Sequence, residues 1–412
     1  MSPTPIPTSR TGNSAIAAQD GSEVVGAIVI GGDHPGLGIA RSLGRRSIPV
    51  CIIDDQRSAS HFSRYAAQVV RVKDLRDERK TVDTVIEIGK RYGYRGWVLY
   101  PTRDETVAAF ARHHDRLAKY FRVTTQPWEI TKWALDKANI YQLATELGIP
   151  SPQTHIVKTE AELPELYTRL PLAIKPAMKE NFFYATGAKA WRANTPEELH
   201  DYFQKAAGRL KTEEILLQEI IPGGGSQQYS YCAFWRNGIA QSTLVARRLR
   251  QHPREFGRAA TYVETLDHPG VEHLSERFLK AIDFYGIVEI EYKLDPRDGK
   301  LKLLDVNART WGFHGIGIPA GVDFPYLLYA DQIGKAVSPS RGRTGVGWIR
   351  TITDVPTALS DLLSSELKLS AYWNSLRNTR AESTFSLRDP LPSVAEILLL
   401  PYLMMKKGLV KS

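Results

Sequence analysis

The chain has 412 residues, 42% hydrophobic and 24% charged, the balance of a soluble globular protein with room for two or three domains. Its net charge of +9 suits anionic substrates such as nucleotides, and the lack of a Lys/Arg block interleaved with aromatics argues against nucleic acid as a partner. The two cysteines, Cys51 and Cys232, each sit in an apolar strand-like run, which excludes a disulfide framework or zinc site and suggests a reducing, cytoplasmic setting.

Residues 1–22 are polar and rich in Pro, Ser and Thr, with no secretory signal, and are expected to be a disordered leader. The run VVGAIVI (24–30) then reads as a buried strand, GGDHPGLG as a glycine turn, IARSLGRRS as a helix and PVCIIDD as a second strand. Two readings stay open for this βαβ opening. One is a NAD or FAD site with Asp54 on a ribose hydroxyl, and so an oxidoreductase. The other is a Rossmann-like scaffold whose glycines only allow close packing, since the spacing is not G-x-G-x-x-G. Strand and helix signals alternate through Val69–Val72, Thr81–Tyr92 and Gly96–Tyr100. Asp104 and Glu105 then open a helix at what would be the ligand-facing edge of the sheet, as substrate contacts or as acids on the helix dipole.

A helix is expected over Thr131–Leu147, broken by Gly148-Ile149-Pro150. Lys137 on it reads by default as a surface lysine. Lys175 is different: it ends the apolar strand Leu172–Ile174 and is followed by Pro176, a place where an ammonium wants a permanent anion such as phosphate. ILLQEII (215–221) is a strand carrying Gln218 and Glu219, ended by Pro222 and three glycines. The arginine-rich stretch 247–258, including Arg250, suits a carboxylate or an acyl-phosphate, or is a solvated basic loop.

The segment 285–312 reads as a β-hairpin, with IVEIEYKL and LKLLDVNA flanking a turn centred on Asp298-Gly299. Period-two alternation puts Glu289 with Glu291, and Asp305 with Asn307, on one face each. Where those faces coincide, the carboxylates call for a hard cation such as Mg²⁺. Arg309 follows two residues on, placed to meet a phosphate. His314 lies in a glycine-rich loop and reads as structural. Beyond 338 the chain is expected to be mostly helical, with a helix at 357–376 and a rigid linker at 388–392. The apolar, basic-ended segment 393–411 would dock on the core, pair with a second copy in a homodimer, or lie on an anionic membrane surface. It falls short of the ~20 residues of a membrane span.

Taken in order, Asp136-Lys137, strand-Lys175-Pro176, Gln218-Glu219, the acidic hairpin and Asp305-x-Asn307-x-Arg309 resemble the ATP-grasp carboxylate–amine ligases, in the branch with D-aspartate ligase and carbamoyl-phosphate-synthase-like proteins. The resemblance implies an α/β and α+β architecture: a Rossmann-like domain (23–130), a two-lobed ATP-grasp core (131–222 and 223–337) and a C-terminal extension (338–412). It implies ATP and one or two Mg²⁺ ions, with Mn²⁺ as an alternative, and as substrates a small carboxylate plus an amine or amino acid. Lys137, Lys175 and Lys189 would contact phosphates. Gln218, Glu219 and Ile221 would line the adenine. Glu291, Asp305 and Asn307 would hold metal, while Arg309, Arg250 and Lys175 would act in catalysis. A non-catalytic nucleotide-binding homologue is the other alternative.

Overall fold

The computed structural model describes residues 24–178, 188, 190–253, 257 and 259–409, with side chains as far as Tyr402. The expected leader and Lys189 lie outside the described residues.

The first layer is a five-stranded parallel sheet, in order β3-β2-β1-β4-β5. Its strands are β1 (Ala27–Ile30), β2 (Val50–Asp54), β3 (Gln68–Arg71), β4 (Val98–Pro101) and β5 (Arg122–Val123). Buried on both faces, β1 and β2 are uniformly apolar runs up to Asp54. Helices α1 (His34–Gly44), α2 (Glu78–Tyr92) and α3 (Asp104–Arg112) make the crossovers.

The glycine turn after β1 serves packing. A Cβ on Gly36 would stand 2.2 Å from the Gly31 carbonyl oxygen, and one on Gly38 would stand 2.5 Å from His314 Nε2. Asp54 is consumed internally: the amide of Gly32 and the hydroxyl of Ser58 donate to it, and Arg103 Nη2 meets it at 2.9 Å. Burial alone would raise its carboxyl, but the His61 contact, the Arg103 charge and the Ser58 hydrogen bond hold it well below the usual range. Asp54 is therefore committed to an ion-paired network rather than offered to a ribose, which corrects the dinucleotide reading and with it the oxidoreductase alternative.

A second, antiparallel sheet holds β6 (Thr154–Ile156), β7 (Leu172–Pro176), β8 (Trp191–Ala193) and β9 (Ile215–Glu219), in order β6-β9-β7-β8. With the helix Pro196–Ala207 it encloses its own small core around Leu163, Ile174, Phe203 and Leu217.

The third sheet has eight strands. Its path starts at the hairpin and runs β14-β13-β10-β11-β12-β16-β17, where β10 is Gln228–Arg236, β11 Ile239–His252, β12 Ala259–Leu266, β13 Gly286–Leu294 and β14 Leu301–Asn307. The last two strands, β16 (Gly347–Ile349) and β17 (Thr379–Glu382), come from beyond residue 338, and β15 (Ser340–Arg341) pairs with β11. The C-terminal segment thus contributes strands as well as helices, and it completes the eight-stranded sheet. Its expected single helix is two, Thr351–Leu363 and Leu369–Asn378, interrupted where Ser365 takes a positive φ of 59°. The expected linker is an anchor: Asp389 is buried, bonded to Arg41 Nε at 2.9 Å and Ser63 Oγ at 2.7 Å.

Candidate active site

The hairpin register brings the acids together. Antiparallel pairing sets Glu289 opposite Asn307 and Glu291 opposite Asp305, so all four side chains share one face. All are buried, Glu289 to 2% exposure and Glu291 to 8%. The Asn307 amide donates to Glu289 at 3.1 Å and to Glu291 at 3.3 Å, and Ser230 Oγ donates to Glu289 at 2.8 Å. Burial, and then the adjacent Glu291 charge, push Glu289 up to about 8.

Cations answer the acids from neighbouring elements. Residues 131–147 do not form one helix; Asp136 caps a fresh helix, α4 (Lys137–Glu146), by accepting from the amides of Ala138 and Asn139. Lys137 is therefore the first residue of that helix, 4% exposed, with its ammonium 2.6 Å from Asp305 Oδ1. The surface-lysine reading is corrected by this cap. Lys175 Nζ donates to the Tyr141 hydroxyl at 2.8 Å, and that hydroxyl donates to the Leu304 carbonyl at 2.8 Å, beside Asp305. Arg309 reaches Asp104 through Nε and Asn307 Oδ1 through Nη2 at 3.2 Å, which ties the start of α3 to the end of β14.

Arg250 does not join this group. The β11–β12 register slips between Arg248 and Arg250, which pair with Val263 and Tyr262. Arg250 is delivered to Asp354, which it grips through Nε and Nη2 at 2.8 Å each, and to Ser375 at 3.1 Å, between the rings of Tyr262 and Tyr372. Its expected contact with an acyl-phosphate is replaced by a buried ion pair. Arg248 takes that place on the acidic face, 3.3 Å from Glu291. Simple alternation puts both arginines on one side, and only the slip separates them, so nothing in the sequence singled out Arg248.

In the four-stranded sheet, Gln218 of β9 donates to Thr154 Oγ1 of β6 at 2.7 Å. Glu219 accepts from the Gln153 amide at 2.9 Å and pairs with Arg297 at 2.9 Å. The Ile221 carbonyl, two residues past β9, accepts from Lys293 Nζ at 2.8 Å, so β13 is tied to the chain that follows β9. His314 is structural: its Nδ1 bonds the Trp311 carbonyl at 2.8 Å, its ring packs on Gly38, and burial lowers its pKa.

The donor set fits a divalent cation that is shared with a ligand. Among the described residues no group of three His, Cys, Asp or Glu side chains forms a metal cage. Glu291, Asp305 and Asn307 instead bring oxygens together on one face, where Arg248, Lys137 and Arg309 now balance them. A site that offers one or two carboxylates and leaves the remaining positions to phosphate and water is what Mg²⁺ takes.

No protein-family model matches the chain. The D-aspartate ligase of Enterococcus faecium (strain Aus0004) is 24% identical over 301 residues, 68% of this chain and 70% of that protein. Among solved structures, the L-amino acid ligase of Bacillus licheniformis superposes with a TM-score of 0.58 at 15% identity, over 76% of this chain and 75% of its own. N5-carboxyaminoimidazole synthetase from Staphylococcus aureus complexed with ADP gives a TM-score of 0.59 at 13% identity, over 77% and 79%. The biotin carboxylase domain of the Hydrogenobacter thermophilus 2-oxoglutarate carboxylase, solved with MgADP, gives 0.61 at 13% identity, over 79% and 74%. The chain thus shares its fold with these enzymes over about three-quarters of its length, and it is similar in sequence to the D-aspartate ligase over about two thirds.

Proposed function

We propose that the protein is an ATP-dependent carboxylate–amine ligase that forms an amide through an acyl-phosphate. The observation that carries this reading is the hairpin register, which sets Glu289, Glu291, Asp305 and Asn307 on one face against Lys137, Arg248 and Arg309. The Rossmann-like segment 23–130 and the lobes 131–222 and 223–337 would enclose substrate and nucleotide. Lys137 and Lys175 bind phosphate oxygens, Lys137 exchanging Asp305 for the ligand, while Gln218, Glu219 and the Ile221 backbone line the adenine side. Arg309, braced by Asp104, faces the transferring phosphoryl group. Glu291, Asp305 and Asn307 would hold Mg²⁺, which supplies charge neutralisation at the phosphates when bound.

In the first step a carboxylate oxygen attacks the γ-phosphorus, the bond to the β-phosphate oxygen breaks, and ADP leaves with the electron pair. The amine nitrogen then adds to the acyl carbon, the C–O bond to phosphate breaks, and the nitrogen releases a proton. Positioning and charge complementarity carry both steps. The names of the relatives, D-aspartate ligase and L-amino acid ligase, favour an amino acid among the substrates. A need for ATP favours the cytoplasm.

The test is Mg²⁺-dependent release of ADP from ATP, with hydroxylamine as surrogate amine and a panel of amino acids and small carboxylates. ADP release that depends on one carboxylate, with the matching hydroxamate formed, is expected. Asp305→Ala and Lys175→Ala should each lower it by about 10²-fold or more. Loss of neither activity nor ATP binding in these variants would overturn the assignment.

A further inference from the structure

Twelve of the seventeen exposed large apolar side chains among the described residues fall between Val355 and Leu398, so the exposure is concentrated in the C-terminal extension. The helix Thr351–Leu363 is amphipathic in the inverted sense. It buries Asp354, Thr357 and Asp361 beside the small Ala358, and it turns Val355, Leu359 and Leu363 outward at i, i+4 and i+8. The helix Leu369–Asn378 repeats the pattern, burying Ser375 and exposing Leu369, Trp373 and Leu376. The helix Leu391–Leu409 exposes Leu391, Val394 and Ile397.

These helices are neighbours. The first two meet at Arg250, through Asp354 and Ser375, and Arg350 at the head of the first reaches Glu396 on the third at 3.0 Å. Ion pairs and hydrogen bonds thus join these helices to the core, while most of their described large apolar side chains face outward. A patch of this kind marks an interaction surface.

The charge around it decides what covers it. Residues 338–412 carry ten Lys and Arg against six Asp and Glu. Asp354, Asp389 and Glu396 are paired inward, to Arg250, Arg41 and Arg350. Asp361 is buried, and Glu382 accepts from the backbone amides of Thr351 and Thr384. Glu366 is the one exposed acid of the six, whereas Lys368, Arg377, Arg380 and Arg388 are exposed. A second copy would set this basic rim against its own like. An anionic lipid surface answers both the charge and the apolar stripes, and it suits the exposed Trp373 and Phe385, which belong at a headgroup boundary. None of the described helices is long and apolar enough to cross a membrane, so contact would be made from one side.

We propose that the helices Thr351–Leu363, Leu369–Asn378 and Leu391–Leu409 form a docking face for an anionic membrane surface. The proposal stands whatever the ligase substrate proves to be.

Flotation of the full chain tests it, with vesicles of phosphatidylcholine alone and vesicles that also contain phosphatidylglycerol. Binding to the anionic vesicles only, weakened by salt, is expected. Leu359→Asp combined with Leu363→Asp should lose that binding by tenfold or more with an unchanged melting temperature, since both side chains are already in solvent. Lys368→Gln and Arg377→Gln should weaken it about fivefold each. Absence of binding to either vesicle, or equal binding to both, would overturn the proposal. So would a dimer in sedimentation velocity that Leu363→Asp dissociates.

Discussion

Arg250 shows how much one residue's role depends on the backbone beneath it. Its charge sits in a buried pair with Asp354, where removal of one partner strands the other. Arg250→Gln is therefore expected to cost about 3–5 kcal/mol of stability. The double change Arg250→Met with Asp354→Leu should recover much of it, as read by denaturant unfolding. The same logic gives Asp54 a pH signature. Its folded-state pKa is depressed, so its contribution is full above the unfolded carboxylate value of about 4 and is lost as pH falls through and below it. Wild type should lose stability over that acid window, and Asp54→Asn should start lower and lose less there. An identical acid slope in the variant would contradict the assignment. Neither role was legible in the sequence: Arg250 is one of several arginines in a run, and Asp54 ends its strand much as a ribose-binding acid would.

Among the elements, the hairpin was the most legible, for a physical reason. Side chains alternate with a period of two, which pairs Glu289 with Glu291 and Asp305 with Asn307, whereas the coincidence of the two faces depends on a register shift between Glu291 and Tyr292 that the turn does not announce. The helix before Lys137 was less legible, because apolar spacing continues across Asp136 and only its side-chain cap marks the new start. The glycine turn after β1 carried two readings in the sequence, and close approach now separates them. Gly38→Ala would push a methyl group into the His314 ring and should destabilise by about 1–3 kcal/mol. Its melting temperature should fall while ATP binding by the folded fraction is kept.

At the scale of the whole molecule, the C-terminal extension was the least legible part. Residues 347–349 and 379–382 are too short to announce strands: the first pairs with β12, about eighty residues earlier in the chain, and the second pairs with the first. Asp389 likewise closes onto Arg41 across 348 positions. The extension thereby joins the eight-stranded sheet to the helix packed on the five-stranded one, whereas the four-stranded sheet keeps a separate core. Hydrogen exchange should accordingly find that sheet opening at lower free energy than β10–β13, and ATP with Mg²⁺ should protect it most. Equal protection across both sheets would contradict the picture.

The late arrival of β16 also bears on how the chain is made. While the ribosome is still translating the extension, β12 presents an unpaired edge and Arg250 has no counter-charge. The large sheet can close only when its last strands emerge, so nascent chains that stop near residue 337 should be captured by chaperones or should aggregate, although every expected nucleotide ligand has by then been synthesised.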